Sequence, residues 1–171
     1  LNPNGKFNYD KYFQIMPAGP QPGVGWTQSF FDVAMAMNPK PKTVAIVGAD
    51  AEYPHNALDG ARVHIKKHGL KVVYDKTYPP NTVDYAPIVR AIQATNPDLV
   101  YVASYPPDTA GMIRAANEVG LKTRMFGGGM VGLQYASLRT QLGPLLNGVV
   151  NYEMYAPEVS KKFPFLEKII G

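Results

Sequence analysis

The stretch PDLVYVASYPPDTAGMIRAANEVGLKT, residues 97–123, contains a complete strand, loop and helix in that order. Residues 99–103 are apolar and rich in β-branched side chains, which predicts a short strand buried on both faces. Two prolines, 106 and 107, cannot continue that strand because each lacks a backbone N–H donor. Asp108 is then the predicted N-cap of a helix with one apolar stripe, and Gly120 ends it.

The loop of this unit follows the carboxyl end of its strand. In open α/β sheets, ligands bind at the carboxyl ends of the strands. Tyr105 lies in that loop, so it is the first candidate for contact with a ligand.

The rest of the chain repeats the alternation of strands and helices, with short connections. Residues 18–25 are rich in glycine and proline and predict a connector. Further strands are predicted at residues 43–49, 70–78, 122–126 and 148–153. Further helices are predicted at residues 26–37, 54–68 and 134–142, and one more begins at residue 84. This order predicts an α/β fold, with a parallel doubly wound three-layer (αβα) sheet.

Composition narrows the classes of function. The net charge is +4, but the basic residues are scattered, which argues against a nucleic-acid partner. No apolar run reaches the roughly 20 residues of a membrane span. The chain has no cysteine, so disulfides and zinc-thiolate sites are excluded.

Three predicted loops, residues 48–54, 104–108 and 127–132, follow strands at one edge of the sheet. Tyrosines in the first two can stack on a ligand and donate hydrogen bonds, and glycines in the third allow close approach to backbone. In the alternative reading, the tyrosines only cover the sheet end and the glycines only turn the chain. The candidate ligand-binding residues are Ala51, Glu52, Tyr53, Ser104, Tyr105, Gly128, Gly129 and Met130.

Other motifs give weaker signals. Gly127, Gly129 and Gly132 spell G-x-G-x-x-G after a predicted strand, with Glu153 further on, which leaves a dinucleotide-binding enzyme as an alternative. The HIKKH run places His64 and His68 four residues apart. A solvated helix face explains it better than a metal site, because no glutamate follows the first histidine. No catalytic residue, metal or cofactor is predicted.

Two longer runs resemble the second lobe of the leucine/isoleucine/valine-binding protein family. They are KTVAIVGADAEYPHNALDGARVHIKKHGLKVVYDKTY and VDYAPIVRAIQATNPDLVYVASYPPDTAGMIRAANEVGLKT, and the similarity extends over roughly residues 11–157. The resemblance implies one lobe of a type I periplasmic binding fold, from a solute receptor of an ABC importer.

The resemblance also implies a domain layout and partners. Residues 1–24 are expected to be a hinge or crossover segment from a missing first lobe, with KYFQIMP as the crossover. Residues 25–157 are expected to be the ligand-binding lobe, and residues 158–171 the start of a return segment. The expected partners are a small-molecule ligand, the missing lobe and a membrane permease, with a periplasmic or extracytoplasmic location.

By position in the family, Tyr53 and Tyr105 match ligand-contacting tyrosines. Gly129 falls where amino-acid binders of the family have a glutamate that holds the ligand's ammonium group. A buried ammonium without a counter-charge costs several kcal/mol. This departure disfavours an α-amino acid ligand, unless Glu52 or a residue outside this sequence supplies the charge. Two tyrosines over a glycine-lined floor suit a flat aromatic acid, or another small organic acid or amide. A ligand-sensing regulator or receptor domain of the same fold is the other function left open.

Overall fold

The computed structural model describes residues 21–153 as a five-stranded, fully parallel sheet in the order β2-β1-β3-β4-β5. The α/β prediction is therefore confirmed. The strands are β1 (Thr43–Ala49), β2 (Lys71–Tyr78), β3 (Leu99–Ser104), β4 (Met125–Met130) and β5 (Val149–Asn151). The helices are α1 (Pro22–Met35), α2 (Glu52–His68), α3 (Ala86–Ala94), α4 (Pro106–Val119) and α5 (Ala136–Leu142).

Two cores form because successive side chains of a strand point to opposite faces. In β1, Val44 and Ile46 belong to the core under α1 and α2, whereas Ala45 and Val47 belong to the core under α3 and α4. All four side chains are buried. The continuous apolar runs of β1 and β3 follow from this double cover, and they are what predicted the fold class.

Helix α1 lies directly on α2, and it begins at Pro22, earlier than the predicted start at residue 26. The chain approaches so closely at Gly23 and Gly60 that a Cβ atom on either would overlap the backbone of the other helix. Residues 22–25, predicted as part of a connector, are therefore helical, and the proline that suggested a break occupies the first turn.

The prediction of a solvated HIKKH face is wrong at His64. Its side chain is 3% exposed, its Nε2 lies 2.8 Å from the Val24 carbonyl oxygen, and its ring stacks on Phe31 at 5.6 Å. The histidine faces inward because α1 covers this side of α2. Among residues 21–153, no group of three or more side chains is placed to hold a metal ion.

The prediction of a loop at residues 127–132 is also wrong. Strand β4 begins at Met125 instead of residue 122 and continues to Met130, so Gly127 and Gly129 of the G-x-G-x-x-G motif are strand residues paired with β3. The turn that a dinucleotide fingerprint requires is therefore not formed there. The physical reason is pairing on both sides, because Gly127 and Gly128 pair with β3 and also with β5. The ring of Tyr101 then leaves no room for a Cβ atom at Gly128.

Helix α4 begins two residues before the predicted N-cap. Tyr105 is the N-cap, Pro106 and Pro107 occupy the first turn, and Asp108 is the third helical residue. From that position its carboxylate accepts the backbone N–H of Tyr105, which is the second half of a capping box.

The expected hinge crossover and return segment lie mainly outside the described residues, so the domain boundaries remain predictions. Among residues 21–153, no helix is both long and apolar enough to cross a membrane.

The Gly128→Ala variant is expected to unfold more easily than wild type by at least about 2 kcal/mol, because the added methyl group meets Tyr101 and φ is +103°. The matched control is Gly120→Ala, where φ is +68° but nothing lies within 4 Å. It carries only the backbone cost of about 1 kcal/mol. Urea unfolding measures both, and equal losses would contradict the proposed packing role of Gly128.

Candidate functional site

Tyr53 and Tyr105 come together at the carboxyl edge of the sheet. Tyr53 lies in the first turn of α2, after β1, and Tyr105 is the N-cap of α4, after β3. Because β1 and β3 are neighbouring parallel strands, both loops emerge side by side. The ring centroids are 5.8 Å apart with an interplanar angle of 57°, and the side chain of Tyr105 is 38% exposed.

The hydroxyl of Tyr53 is engaged inside the protein. It donates a hydrogen bond of 3.0 Å to the carbonyl oxygen of Gly129. Burial raises the pKa of Tyr53 well above its ordinary value, and the neighbouring phenols of Tyr101 and Tyr152 raise it further. Tyr53 therefore remains a neutral phenol whose polar atom ties α2 to β4 and whose ring faces Tyr105.

Trp26 extends this group of rings, although the sequence analysis did not select it. Its indole ring in α1 lies 5.7 Å from the ring of Tyr53 at an interplanar angle of 35°. Trp26 is the only tryptophan of the chain, and it follows a connector-like segment near the start of a helix. These two features were only a weak indication that it belongs to the site. Trp26, Tyr53 and Tyr105 together are called the aromatic cluster below.

Asp108 anchors the loop that carries Tyr105. Its Oδ2 accepts a hydrogen bond of 2.6 Å from the hydroxyl of Tyr78, the last residue of β2. Its carboxylate also accepts the backbone N–H groups of Tyr105 and of Asp108 itself. Burial raises the pKa of Asp108, and these hydrogen bonds oppose the shift. The carboxylate thus links the end of β2 to the first turn of α4.

The remaining predicted site residues differ in accessibility. Ala51 is the partly buried N-cap of α2, and Glu52 is exposed in its first turn. Ser104 is buried at the end of β3, where its hydroxyl lies 2.7 Å from that of Thr109. Gly128, Gly129 and Met130 are buried in β4, instead of forming the expected loop.

The tyrosine pair forms part of an open surface. A cavity of about 260 Å³ lies at the opposite edge of the sheet, between the end of α4 and the starts of β4 and β5. Nothing at that cavity matches the predicted site. A smaller cavity of about 80 Å³ lies nearer, between Phe30, Gly128 and Tyr152.

Comparison with known proteins identifies the relatives of this chain. A family model described as "Periplasmic binding protein" matches residues 4–162. A "Leu/Ile/Val-binding protein homolog 8" of Brucella abortus (strain 2308) is 30% identical over 129 residues, which are 74% of this chain and 32% of that protein. The chain therefore spans about a third of the length of this curated relative.

Two solved structures have the same fold. The closed conformation of a leucine-, isoleucine-, valine-, threonine- and alanine-binding protein from Brucella ovis has a TM-score of 0.69 at 20% identity, covering 85% of this chain and 37% of that one. A solute-binding protein of an ABC transporter from Rhodopseudomonas palustris HaA2, in complex with p-hydroxybenzoic acid, has a TM-score of 0.69 at 22% identity, covering 87% and 42%.

Tyr53→Phe is expected to lower the free energy of unfolding by about 1 kcal/mol, because it removes the hydrogen bond to Gly129 and leaves a carbonyl without its donor. Tyr135→Phe is the control, since that side chain is 55% exposed. Urea unfolding measures the stability of both variants. Equal losses of unfolding free energy would contradict a stabilising hydrogen bond between α2 and β4.

Asp108→Asn is expected to change the pH dependence of stability. The folded protein holds the Asp108 proton more tightly than the unfolded chain does, since the pKa is raised. Protonated Asp108 therefore contributes its full stabilisation of the folded state below about pH 3.9. This stabilisation is lost as the pH rises through the folded-state pKa. The difference in unfolding free energy between wild type and Asp108→Asn should therefore decrease with rising pH, as measured by urea titrations at several pH values. A constant difference would show that Asp108 is not destabilised by burial.

Proposed function

Because this chain belongs to the periplasmic binding protein family, we propose that it forms one lobe of the solute receptor of an ABC importer of the branched-chain amino acid type. The observation that carries the proposal is the meeting of Tyr53 and Tyr105 at the carboxyl edge of neighbouring strands. Ligands of open α/β sheets bind at this edge. An exposed tyrosine ring there offers an apolar face and a hydroxyl to a small molecule.

Binding would take place in a cleft between this lobe and a second one. One lobe supplies only one wall, which agrees with the openness of the surface around Tyr105. The second lobe, with residues 1–24 as the crossover and 158–171 as the return, belongs to the proposal. Closure would be a hinge motion whose open and closed populations the solute shifts, and the permease would contact the closed form. The proposed location is periplasmic or extracytoplasmic.

The solute would be a small organic acid or amide, or an amino acid. Relatives support both classes, since one is named for leucine, isoleucine and valine and another was solved with p-hydroxybenzoic acid. Gly129 favours the acids and amides. A Cβ atom there would lie 2.6 Å from the hydroxyl oxygen of Tyr101, so the position has no space for a carboxylate side chain. An ammonium group would lack a counter-charge at this point.

The competing reading as a dinucleotide-binding enzyme loses its main support. The family is one of solute-binding proteins, and residues 127 and 129 of the glycine motif lie within β4.

A thermal-shift screen of the full-length gene product tests the proposed function. Aromatic acids, aliphatic acids, amides and amino acids form the receptor panel, and NAD and NADP form the enzyme panel. A solute at 100 times its Kd should stabilise the protein by roughly 2.7 kcal/mol. Stabilisation by the nucleotides alone would refute the receptor reading.

For the solute found, Tyr105→Ala is expected to weaken binding by at least about 1 kcal/mol, or roughly fivefold, because a buried aromatic contact is removed. Isothermal titration calorimetry measures the change. Unchanged affinity would place the binding surface elsewhere on the lobe.

A further inference from the structure

The amino edge of the sheet, opposite the aromatic cluster, collects exposed cations that are scattered in the sequence. Strands β1 to β4 begin at this edge, and the segments that lead into them are residues 36–43, 66–71, 95–98 and 118–125. These segments form what is called the basic edge below. Its lysine and arginine side chains are all exposed, and they are Lys40, Lys42, Lys66, Lys67, Lys71, Lys122 and Arg124.

Backbone hydrogen bonds join the segments of the basic edge to one another. The N–H of Lys71 donates to the carbonyl oxygen of Lys42 at 2.9 Å, and the N–H of Lys42 donates to the carboxylate of Asp98 at 2.7 Å. The N–H of Arg124 donates to the carbonyl oxygen of Asp98 at 2.9 Å. Neighbouring strands lie about 4.8 Å apart, so the four strand starts span about 15 Å. Like charges this close add to one local potential.

Few acidic side chains offset this charge. The four segments contain Asp98 and Glu118, so their formal charge is 7 − 2 = +5. Asp98 already accepts the backbone N–H groups of Lys42 and Thr43, which lower its pKa. The carboxyl end of α2 adds about half a negative charge, which Lys66 and Lys67 in its last turn exceed. Within the described residues, none of the seven cations forms an ion pair with a carboxylate.

The carboxyl edge has the opposite sign. Its segments, residues 49–55, 78–86, 104–109, 130–136 and 151–153, contain no lysine or arginine. They contain five acidic residues, which are Asp50, Glu52, Asp84, Asp108 and Glu153. A negatively charged surface would therefore attract the basic edge and repel the edge that carries the aromatic cluster.

The side chains of the basic edge suit a layer of lipid phosphates better than a nucleic acid. The four segments contain no phenylalanine, tyrosine or tryptophan on which a base could stack, and Arg124 is their only arginine. The other six cations are lysines, which are point charges on flexible stems. Such side chains follow a diffuse layer of anionic headgroups without a fixed geometry.

We propose that the basic edge attracts this protein to a membrane surface rich in anionic phospholipids, with the aromatic cluster turned away from the lipid. The inference goes beyond the proposed solute receptor, because it assigns a second surface and a second partner. Each cation near an anionic lipid surface strengthens attachment roughly fivefold, and salt screens the attraction. The attachment is therefore reversible.

Sedimentation of the full-length gene product with lipid vesicles tests the proposal. At low salt, vesicles with about 30% phosphatidylglycerol should bind it at least about tenfold more strongly than vesicles of phosphatidylcholine alone. Raising the salt to about 500 mM should abolish the difference, because the Debye length becomes shorter.

Matched triple variants test the role of the basic edge. Replacement of Lys66, Lys67 and Lys71 by glutamine should weaken binding to the anionic vesicles at least about tenfold, whereas their replacement by arginine should preserve it. The control replaces Lys76, Arg90 and Arg114 by glutamine, which removes the same charge from exposed positions outside the basic edge. It should change binding by less than about threefold.

Equal binding to the two kinds of vesicle, or equal losses in the two glutamine variants, would overturn the proposal. Tighter binding of a DNA duplex than of the anionic vesicles, with the same dependence on Lys66, Lys67 and Lys71, would assign the basic edge to nucleic acid instead and also overturn it. The thermal-shift screen for solutes is a separate measurement. A solute that stabilises wild type and the Lys66, Lys67 and Lys71 glutamine variant equally supports the receptor function whatever the vesicles show.

Discussion

The ring of Tyr101 lying across β4 is the constraint on which the rest of this lobe depends. Tyr101 is 1% exposed and packs against Phe30 at 5.2 Å, in an edge-to-face arrangement, and against Phe31 at 6.1 Å. The ring occupies the space that side chains at Gly128 and Gly129 would need. A large residue on one strand is thus matched by glycines on its neighbour, and the ring fills the volume between the sheet and α1.

The same packing orients the candidate site. With no side chain at Gly129, its carbonyl oxygen can accept the Tyr53 hydroxyl, and this hydrogen bond holds the start of α2 over the end of β4. Asp108 holds the start of α4 in the same way, because its carboxylate links Tyr78 of β2 to the backbone of Tyr105. Both tyrosine rings are therefore positioned by contacts made below the surface they form. This arrangement would suit the rigid binding wall that the proposed receptor function requires.

Several polar groups at this edge are hydrogen-bonded within the protein, namely the hydroxyls of Tyr53 and Ser104 and the carboxylate of Asp108. Catalytic groups need free polar atoms with matched pKa values near the reacting bond. Here the raised pKa values of Tyr53 and Asp108 accompany structural hydrogen bonds instead. Membership in a family of solute-binding proteins is consistent with that arrangement.

The sequence by itself determined the alternation of strands and helices, the parallel sheet and the meeting of Tyr53 with Tyr105, because these follow from local apolar patterns and from chain order. Only the tertiary structure decided the state of residues 127–130, the inward position of His64 and the place of Trp26 beside Tyr53. Glycines carry no side-chain pattern, so nothing local shows that Tyr101 fills their space or that β3 and β5 pair with them as a strand. Likewise, the HIKKH run has the pattern of a polar helix face. Only the packing of α1 against α2 shows that His64 lies inward. Such features depend on contacts between residues far apart in the chain, which local periodicity does not record.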